Sequence, residues 1–253
     1  MRSFERKEKI LKKLRSVGKI TIEDAQMIGV SVATIYRDLV ELENQGLVKR
    51  IRGGAIFRQA LQGETHFDIR MRIMVKEKEE IAKKAQKLIY DDTSIFLDHS
   101  STAMFLAREL KTRHFRNLTL LTNSLAIPYD LSSQKGIQVV LTGGVVESEF
   151  EALTGHLVIA RLKSINLHQI FASVGAITLQ DGLMTQIPFI YELLPAIFQL
   201  GREVNILVDH SKFFKIATYR IAPLDSSLNI ITDRGLPQNL LGEMQKQGVR
   251  VII

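Results

Sequence analysis

Four short polar runs and one glycine carry the chemistry of an anion site in this chain. They are Asp98-His99-Ser100-Ser101-Thr102, Thr122-Asn123-Ser124, Thr142-Gly143-Gly144, Asp209-His210-Ser211-Lys212 and Gly175. Ser, Thr and Asn supply hydroxyl and amide groups, and Lys212 supplies a point charge suited to a phosphate or carboxylate. Glycine lets a backbone N–H approach a ligand closely. His99 and His210 adjoin carboxylates, an arrangement compatible with proton transfer or metal ligation. Neither falls in a recognised ligand spacing, so both read as ordinary histidines of polar loops, with no metal and no cofactor expected.

Each group follows an apolar, strand-like run: Ile95-Phe96-Leu97, Leu118 to Leu121, Val139-Val140-Leu141, Ile170 to Val174 and Val204 to Val208. Ile230-Ile231 and Val249 to Ile253 continue the series. Between several of them lie amphipathic segments, Glu77 to Ile89 with Ile81, Ala85, Leu88 and Ile89 on one face, and Thr102 to Leu110 with Leu106 and Leu110. This alternation predicts a mostly parallel α/β sheet over residues 76–253. Ligands on such sheets bind beyond the carboxyl ends of the strands, so five strand ends are expected to rim one pocket. The run from Leu97 to Thr102 turns from strand into helix, where N–H groups and hydroxyls meet the positive end of the helix dipole. The candidate effector-binding set is Asp98, Ser100, Ser101, Thr102, Asn123, Gly143, Gly144, Gly175 and Lys212, for a small anionic metabolite. Singly, each has a plainer reading: Ser100 and Ser124 as helix caps, Gly143-Gly144 as a turn, Asp209 as a partner for Lys212.

A second constellation lies upstream. Residues 1–58 hold 13 Lys+Arg against 7 Asp+Glu, whereas the other 195 residues carry 21 against 20, so nearly all of the net charge of +7 sits in a basic head. Such segregation suits a polyanion. Ile10, Leu11 and Leu14 recur at helical spacing within Glu5 to Leu14, opposite Arg6, Lys7, Lys9, Lys12 and Lys13. Ile20-Thr21-Ile22 is β-prone, Glu23 to Ile28 predicts a second short helix that Gly29 ends, and Val30-Ser31 makes a tight turn. Ser31 caps a third helix running to about Gln45 and stopped by Gly46, with Ile35, Leu39 and Leu42 inward. The result is a helix-turn-helix, whose second helix presents its N-terminal residues to the major groove. Ala33, Thr34, Tyr36 and Arg37 face outward as base-reading or phosphate-positioning groups. Leu47 to Arg58 alternates into a hairpin turning at Gly53-Gly54, a basic wing with Arg50 and Arg52 at the DNA backbone. The DNA-binding set is Ser31, Ala33, Thr34, Tyr36, Arg37, Arg50 and Arg52; the plainer reading makes Arg37 and Asp38 surface salt bridges.

These residues carry a family resemblance. Val30 to Leu39, with Leu42-Glu43 and Arg52-Gly53-Gly54-Ala55, resembles the winged helix-turn-helix of the DeoR family of bacterial sugar-metabolism repressors. Tyr36 stands where the family usually has the first residue of Arg-Arg-Asp-Leu. The body resembles the DeoR effector domain at Asp98, Ser101 and Thr102 of the Asp-x-Gly-Ser-Thr-Thr loop, at Thr122-Asn123-Ser124, Gly143-Gly144, Gly155, Phe171 and Gly175, and at Asp209 to Phe213. The resemblance implies a fold related to sugar-phosphate isomerases and a phosphorylated sugar as effector. Ser100 replaces the loop glycine, Ala103 the second Thr, His168 a common Asp, and Leu194-Pro195 a usual Lys-Arg pair. Loss of that pair leaves three readings: a different effector, a weakly bound one, or one held by Lys212 as main cation.

Composition bounds the rest. A chain of 253 residues, 45% hydrophobic, exceeds a DNA-binding module and accommodates one further domain of ordinary size. The domains read as 1–58, a winged helix-turn-helix; 59–75, a connector without clear period; and 76–253, the α/β sensing domain. No apolar run approaches the roughly 18 residues needed to span a bilayer, and the basic N-terminus lacks a signal-peptide core, so a cytoplasmic protein without membrane partners is expected. Zero cysteines exclude disulfides and thiolate chemistry. The function read from the sequence is a sequence-specific transcriptional regulator, a repressor that binds a double-stranded DNA operator as a homodimer or homotetramer and answers a sugar phosphate. The alternative is a sugar-phosphate isomerase-like enzyme with an accessory DNA-binding head, for which Asp98, Asp209 or Glu192 would have to supply the base. A purely architectural DNA binder would leave the polar strand ends unexplained. No catalytic residues are assigned.

Overall fold

The computed structural model describes residues 6–7, 9–10, 13–14, 19–26, 29–44, 48–51, 53–57 and 66–253. These divide into two compact units, 1–74 and 75–253.

In the first unit, β1 (Lys19–Thr21) leads directly into α1 (Ile22–Gln26), and α2 (Val32–Asn44) is followed by β2 (Val48–Ile51) and β3 (Gly54–Phe57). A reciprocal box starts α1. The Asp24 amide donates to Thr21 Oγ1 at 3.0 Å while the Thr21 amide donates to Asp24 Oδ2 at 3.1 Å, so two otherwise orphaned N–H groups are satisfied. Gly29 has φ +82°, the left-handed conformation expected where α1 gives way to the turn. Ser31 caps α2, its Oγ accepting from the Thr34 amide at 3.3 Å. The inward stripe of α2, Ile35, Leu39 and Leu42, is fully buried with Ile10, Leu14, Ile20, Val48 and Ala55, and Val30 packs on this cluster. The stop at Gly46 and the last residue of α1 proposed from sequence lie outside the described residues.

The wing has three strands rather than two, in the order β1-β3-β2. Its two central glycines have separate jobs. Gly53 takes φ +81° in the turn, whereas Gly54 already belongs to β3, where a Cβ would stand 2.0 Å from the Ile20 carbonyl oxygen. Only hydrogen at that position lets β1 pair with β3. The segment read as a connector without clear period contains a helix, α3 (His66–Arg72), with Phe67 buried. Its seven residues span two turns, too short for an apolar period to declare itself.

The second unit is built on β4 (Ser94–Leu97), β5 (Leu118–Thr122), β6 (Ile137–Leu141), β7 (Val145–Glu147), β8 (Ala152–Thr154), β9 (Leu167–Ala172), β10 (Ala176–Thr178), β11 (Gly182–Thr185), β12 (Gly201–Leu207), β13 (Tyr219–Ala222), β14 (Leu228–Ile231) and β15 (Arg250–Ile252). Its helices are α4 (Val75–Gln86), α5 (Ser101–Leu110), α6 (Ala126–Leu131), α7 (His156–Lys163), α8 (Pro188–Phe198) and α9 (Gln238–Lys246). The main sheet has seven strands in the order β15-β14-β12-β9-β4-β5-β6, and every neighbouring pair is parallel. Two small antiparallel additions, β7-β8 and β10-β11-β13, were not anticipated; their strands of three or four residues alternate too briefly to be seen.

The chain leaves β4 toward β5 and β6, then returns to β9 and proceeds through β12, β14 and β15 in the other direction. The order therefore reverses between β4 and β9, and that crevice is where open parallel sheets take ligands. Behind it the sheet is dry: Phe96, Ile170, Leu193, Ile197 and Ile206 belong to one buried cluster. Burying each such side chain contributes about 1.5–3 kcal/mol and fixes the strand ends above it.

Candidate functional site

On the reading helix the exposed face is the one expected. Ala33, Tyr36 and Arg37 are exposed and Thr34 half-buried, while Ser31 and Thr34 share a hydroxyl contact of 2.9 Å. Asp38 and Arg37 do not behave alike. Asp38 is buried and bidentately paired with Arg6, one contact being Nη2 to Oδ1 at 2.8 Å, whereas Arg37 has no ion pair among the described residues. Of these two adjacent charges one is engaged within the head, and the other is exposed and without an ion pair among the described residues. Arg50, read as a contact to the DNA backbone, is engaged within the head: its Nε meets Glu43 Oε2 at 2.5 Å and its amide donates to Glu43 Oε1 at 2.9 Å. Glu43 sits on α2, so the pair ties the wing to the reading helix and masks one positive charge. The pair is exposed, so it is weak and open to competition from a phosphate. Arg52 lies outside the described residues. Under the head, Lys13 pairs with Asp24 at 2.8 Å; that hydrogen bond, with the Thr21 amide, lowers the Asp24 carboxyl to about 2.

In the second unit, β4, β5, β6, β9 and β12 end on one edge of the sheet, and the polar groups found in the sequence follow each of them. Asp98 stands at the crossover. It is buried, its Oδ1 accepting the Ser100 amide at 3.0 Å and its Oδ2 the Ser173 amide at 2.8 Å, so one carboxylate spans the gap between β4 and β9. Its work is structural positioning. Ser100 Oγ caps α5 by accepting from the Ala103 amide at 3.1 Å, and Ser124 Oγ accepts from Ala126 and Ile127, so the plainer reading holds for both serines. Ser101 and Thr102 differ. They lie buried in the first turn of α5, and neither their hydroxyls nor their amides have a hydrogen-bond partner among the described residues. Four donors therefore gather at the positive end of a ten-residue helix.

Asn123 is buried next to this turn. Its Nδ2 donates to the Leu153 carbonyl at 2.9 Å and stands 3.5 Å from His99 Nδ1. Gly144 has φ +136°, and a Cβ there would stand 2.5 Å from the Thr154 carbonyl oxygen, so this glycine permits β8 to close over the end of β6; Gly143, at φ +74°, is the turn before it. Gly175 is exposed, its amide used by the Met184 carbonyl at 2.9 Å. Lys212 lies on a short 3-10 turn, His210–Phe214, at the end of β12, separated from β4 by β9. Asp209 accepts from the Ser211 amide and hydroxyl.

Sequence reasoning missed a sixth strand end. Asp233 follows β14 and accepts from the His210 amide and ring Nδ1, each at 2.7 Å, and from the Gly235 amide at 2.8 Å. Burial raises its carboxyl, but the two amides and the His210 ring outweigh that and hold it below the usual range. The rule that marked the other polar runs would have found it after Ile230-Ile231. Phe189, at the start of α8, was also missed; its ring lies 5.4 Å from that of His99 and 5.3 Å from that of Phe150. Conversely, His168 lies at the start of β9, where its Nδ1 accepts from the Ser94 amide at 3.1 Å, at the opposite edge of the sheet. Leu194 is buried in the core, and Pro195 lines a groove at that opposite edge with His168, Gly201 and Arg202. The Leu194-Pro195 departure thus lies away from the strand-end donors. Among the described residues no group of His, Asp and Glu is placed to hold a metal, and no helix is long and apolar enough to cross a membrane.

The DeoR C terminal sensor domain matches residues 73–234, and the DeoR-like helix-turn-helix domain matches residues 6–60. The chain belongs to the DeoR family. The HTH-type transcriptional regulator GolR of Listeria innocua is 33% identical over 99% of this chain and 98% of its own length. The HTH-type transcriptional repressor GlcR of Bacillus subtilis is 31% identical over 98% of this chain and 95% of its own. A ribose 5-phosphate isomerase from Methanocaldococcus jannaschii overlaps 55% of this chain and 54% of that one with a TM-score of 0.40 and 20% identity. This DeoR protein is a DNA-binding transcriptional regulator and not an enzyme; the isomerase alternative falls with the family and with its relatives.

Proposed function

We propose that this DeoR regulator represses transcription by binding a palindromic or repeated operator as a homodimer or homotetramer, and that a phosphorylated sugar at the strand-end site sets its affinity for DNA. The observation that carries the effector reading is the set of four unengaged donors from Ser101 and Thr102 at the N-terminus of α5, beside the crossover between β4 and β9. Lys212 supplies the cation, while Asp98 holds the loops in place. Repression is supported by relatedness to GlcR, which is named a repressor. The oligomer is supported by the single reading helix in each head, since such motifs read paired half-sites. A ligand shifts DNA affinity only by binding the DNA-competent and DNA-incompetent states unequally.

The test is a thermal-shift screen of the full chain against hexose and pentose monophosphates, their parent sugars and inorganic phosphate. Native-state ligands raise stability by mass action, so a sugar phosphate in excess over its Kd is expected to raise the midpoint. A midpoint unmoved by every phosphorylated compound overturns the effector assignment.

A further inference from the structure

The strand-end site has two chemically different ends. At α5 every unengaged backbone group is a donor, which suits an anion. Beside it, at the ends of β5 and β6, the demand is reversed. Asn123 is 2% exposed, and the Leu153 carbonyl at 2.9 Å fixes which end of its amide carries the hydrogens. Its Oδ1 is then an acceptor, buried and without a hydrogen-bond partner among the described residues. Thr122 pairs in register with Leu141, so Asn123 and Thr142 are the next residues of adjacent strands; Thr142 Oγ1 is likewise buried and without a partner there. A dianionic phosphate offers only acceptors and cannot satisfy Asn123 Oδ1, whereas a sugar hydroxyl both donates and accepts. Phe189, with its ring packed against those of His99 and Phe150, adds an apolar wall of the kind that lines small-molecule sites.

We propose that Asn123 and Thr142 read hydroxyl groups of the ligand and that Phe189 covers one face of its ring. The ligand then lies with a polyhydroxylated cyclic end over β5 and β6 and its anionic end at α5. This orientation rests on the effector reading above. It makes Asn123, Thr142 and Phe189 the residues that select among ligands of equal charge.

The experiment is calorimetric titration of the full chain with hexose and pentose monophosphates, the parent sugars and inorganic phosphate, repeated on Thr142→Val, Asn123→Leu and Phe189→Leu. Thr142→Val is isosteric and removes a hydroxyl with no partner in the protein, so its unfolding midpoint is expected to equal or exceed that of the wild type. Its affinity for the best sugar phosphate is expected to fall about tenfold, the loss of one well-made hydrogen bond, with no change toward inorganic phosphate. Asn123→Leu and Phe189→Leu are expected to lower the same affinity. If inorganic phosphate binds the wild type as tightly as any sugar phosphate, or if Thr142→Val binds the sugar phosphate as the wild type does, this proposal is overturned while the anion site stands. A parent sugar that binds as well as its phosphate, with the same sensitivity to Thr142→Val, supports hydroxyl reading and removes the phosphate. A wild type that binds no compound of the panel overturns both.

Discussion

Arg6 grips both carboxylate oxygens of the buried Asp38 on α2, whereas the neighbouring residue, Arg37, is exposed to solvent. Two adjacent charges on one helix therefore have unlike consequences. Asp38→Ala leaves the Arg6 guanidinium without its partner and is expected to lower the thermal midpoint of the head. Arg37→Ala is expected to leave that midpoint unchanged and to weaken specific binding by about 1–3 kcal/mol if Arg37 reads a base edge. The check is paired calorimetry and gel-shift titration. A folded Arg37→Ala protein with wild-type operator affinity removes α2 as the reader.

The Arg37 and Asp38 contrast also shows what could be read before the fold was known. Periodicity placed Arg37 on the outward face of α2, where it is exposed, but it carries no information about Arg6, distant in sequence, meeting Asp38. Burial of Asp38 is tertiary. The same limit applies to the wing: alternation over Leu47 to Arg58 gave β2 and β3, while β1, three residues long, pairs with β3 only because Gly54 has no side chain against Ile20. In the sensing unit the seven parallel strands and their polar ends were legible because most of these strands are largely buried and carry short apolar runs, each followed by polar residues. Phe189 was not, because its ring contacts are made with His99 and Phe150, which are distant in sequence; Asp233 was within reach of the same strand-end rule, and the Ser100 cap, a local contact with the Ala103 amide, was one of the plainer readings.

Glu43 neutralises Arg50 in the free protein, so removing that carboxylate releases a cation at the wing. Glu43→Gln is expected to tighten binding to random and operator duplexes alike. Arg50→Ala is expected to weaken both and to reduce the slope of log affinity against log salt by about one unit. Fluorescence anisotropy over a salt series measures both variants. Weaker binding by Glu43→Gln would mean that the pair holds the wing in position rather than masking its charge.

Asp24 links the stability of the head to acid. Its carboxyl is lowered from 3.8 to about 2 when folded, by the hydrogen bond from Lys13 first and by that from the Thr21 amide second. A group with a depressed folded pKa stabilises the native state fully above its unfolded value and loses that contribution as pH falls through the folded one. Stability of the head is therefore expected to decline between about pH 4 and pH 2 through this group. In Asp24→Asn that part of the decline is expected to disappear, which circular dichroism melts at stepped pH values resolve. The size is modest because Asp24 is partly exposed and screened by solvent. Identical pH profiles for wild type and variant would show that the Thr21 and Lys13 contacts do not persist in solution.

Lys212 stands on the turn after β12, on the far side of β9 from the donors of Ser101 and Thr102, so it can meet a ligand charge that α5 alone does not neutralise. Under the effector reading, Lys212→Ala removes the differential affinity by which a sugar phosphate shifts the regulator between DNA-competent and DNA-incompetent states. Operator affinity without the compound is expected to stay near the wild-type value, because the head is untouched, while the change produced by the compound disappears. The measurement is operator titration of both proteins with and without the sugar phosphate that gives the largest thermal shift. Ser101→Ala run in parallel separates the lysine charge from the helix-end donors: its response is expected to be weakened rather than abolished, since the amides of Ser101 and Thr102 remain. A Lys212→Ala protein that responds like the wild type would mean that the helix N-terminus alone carries the anion, and the lysine would be released from the site.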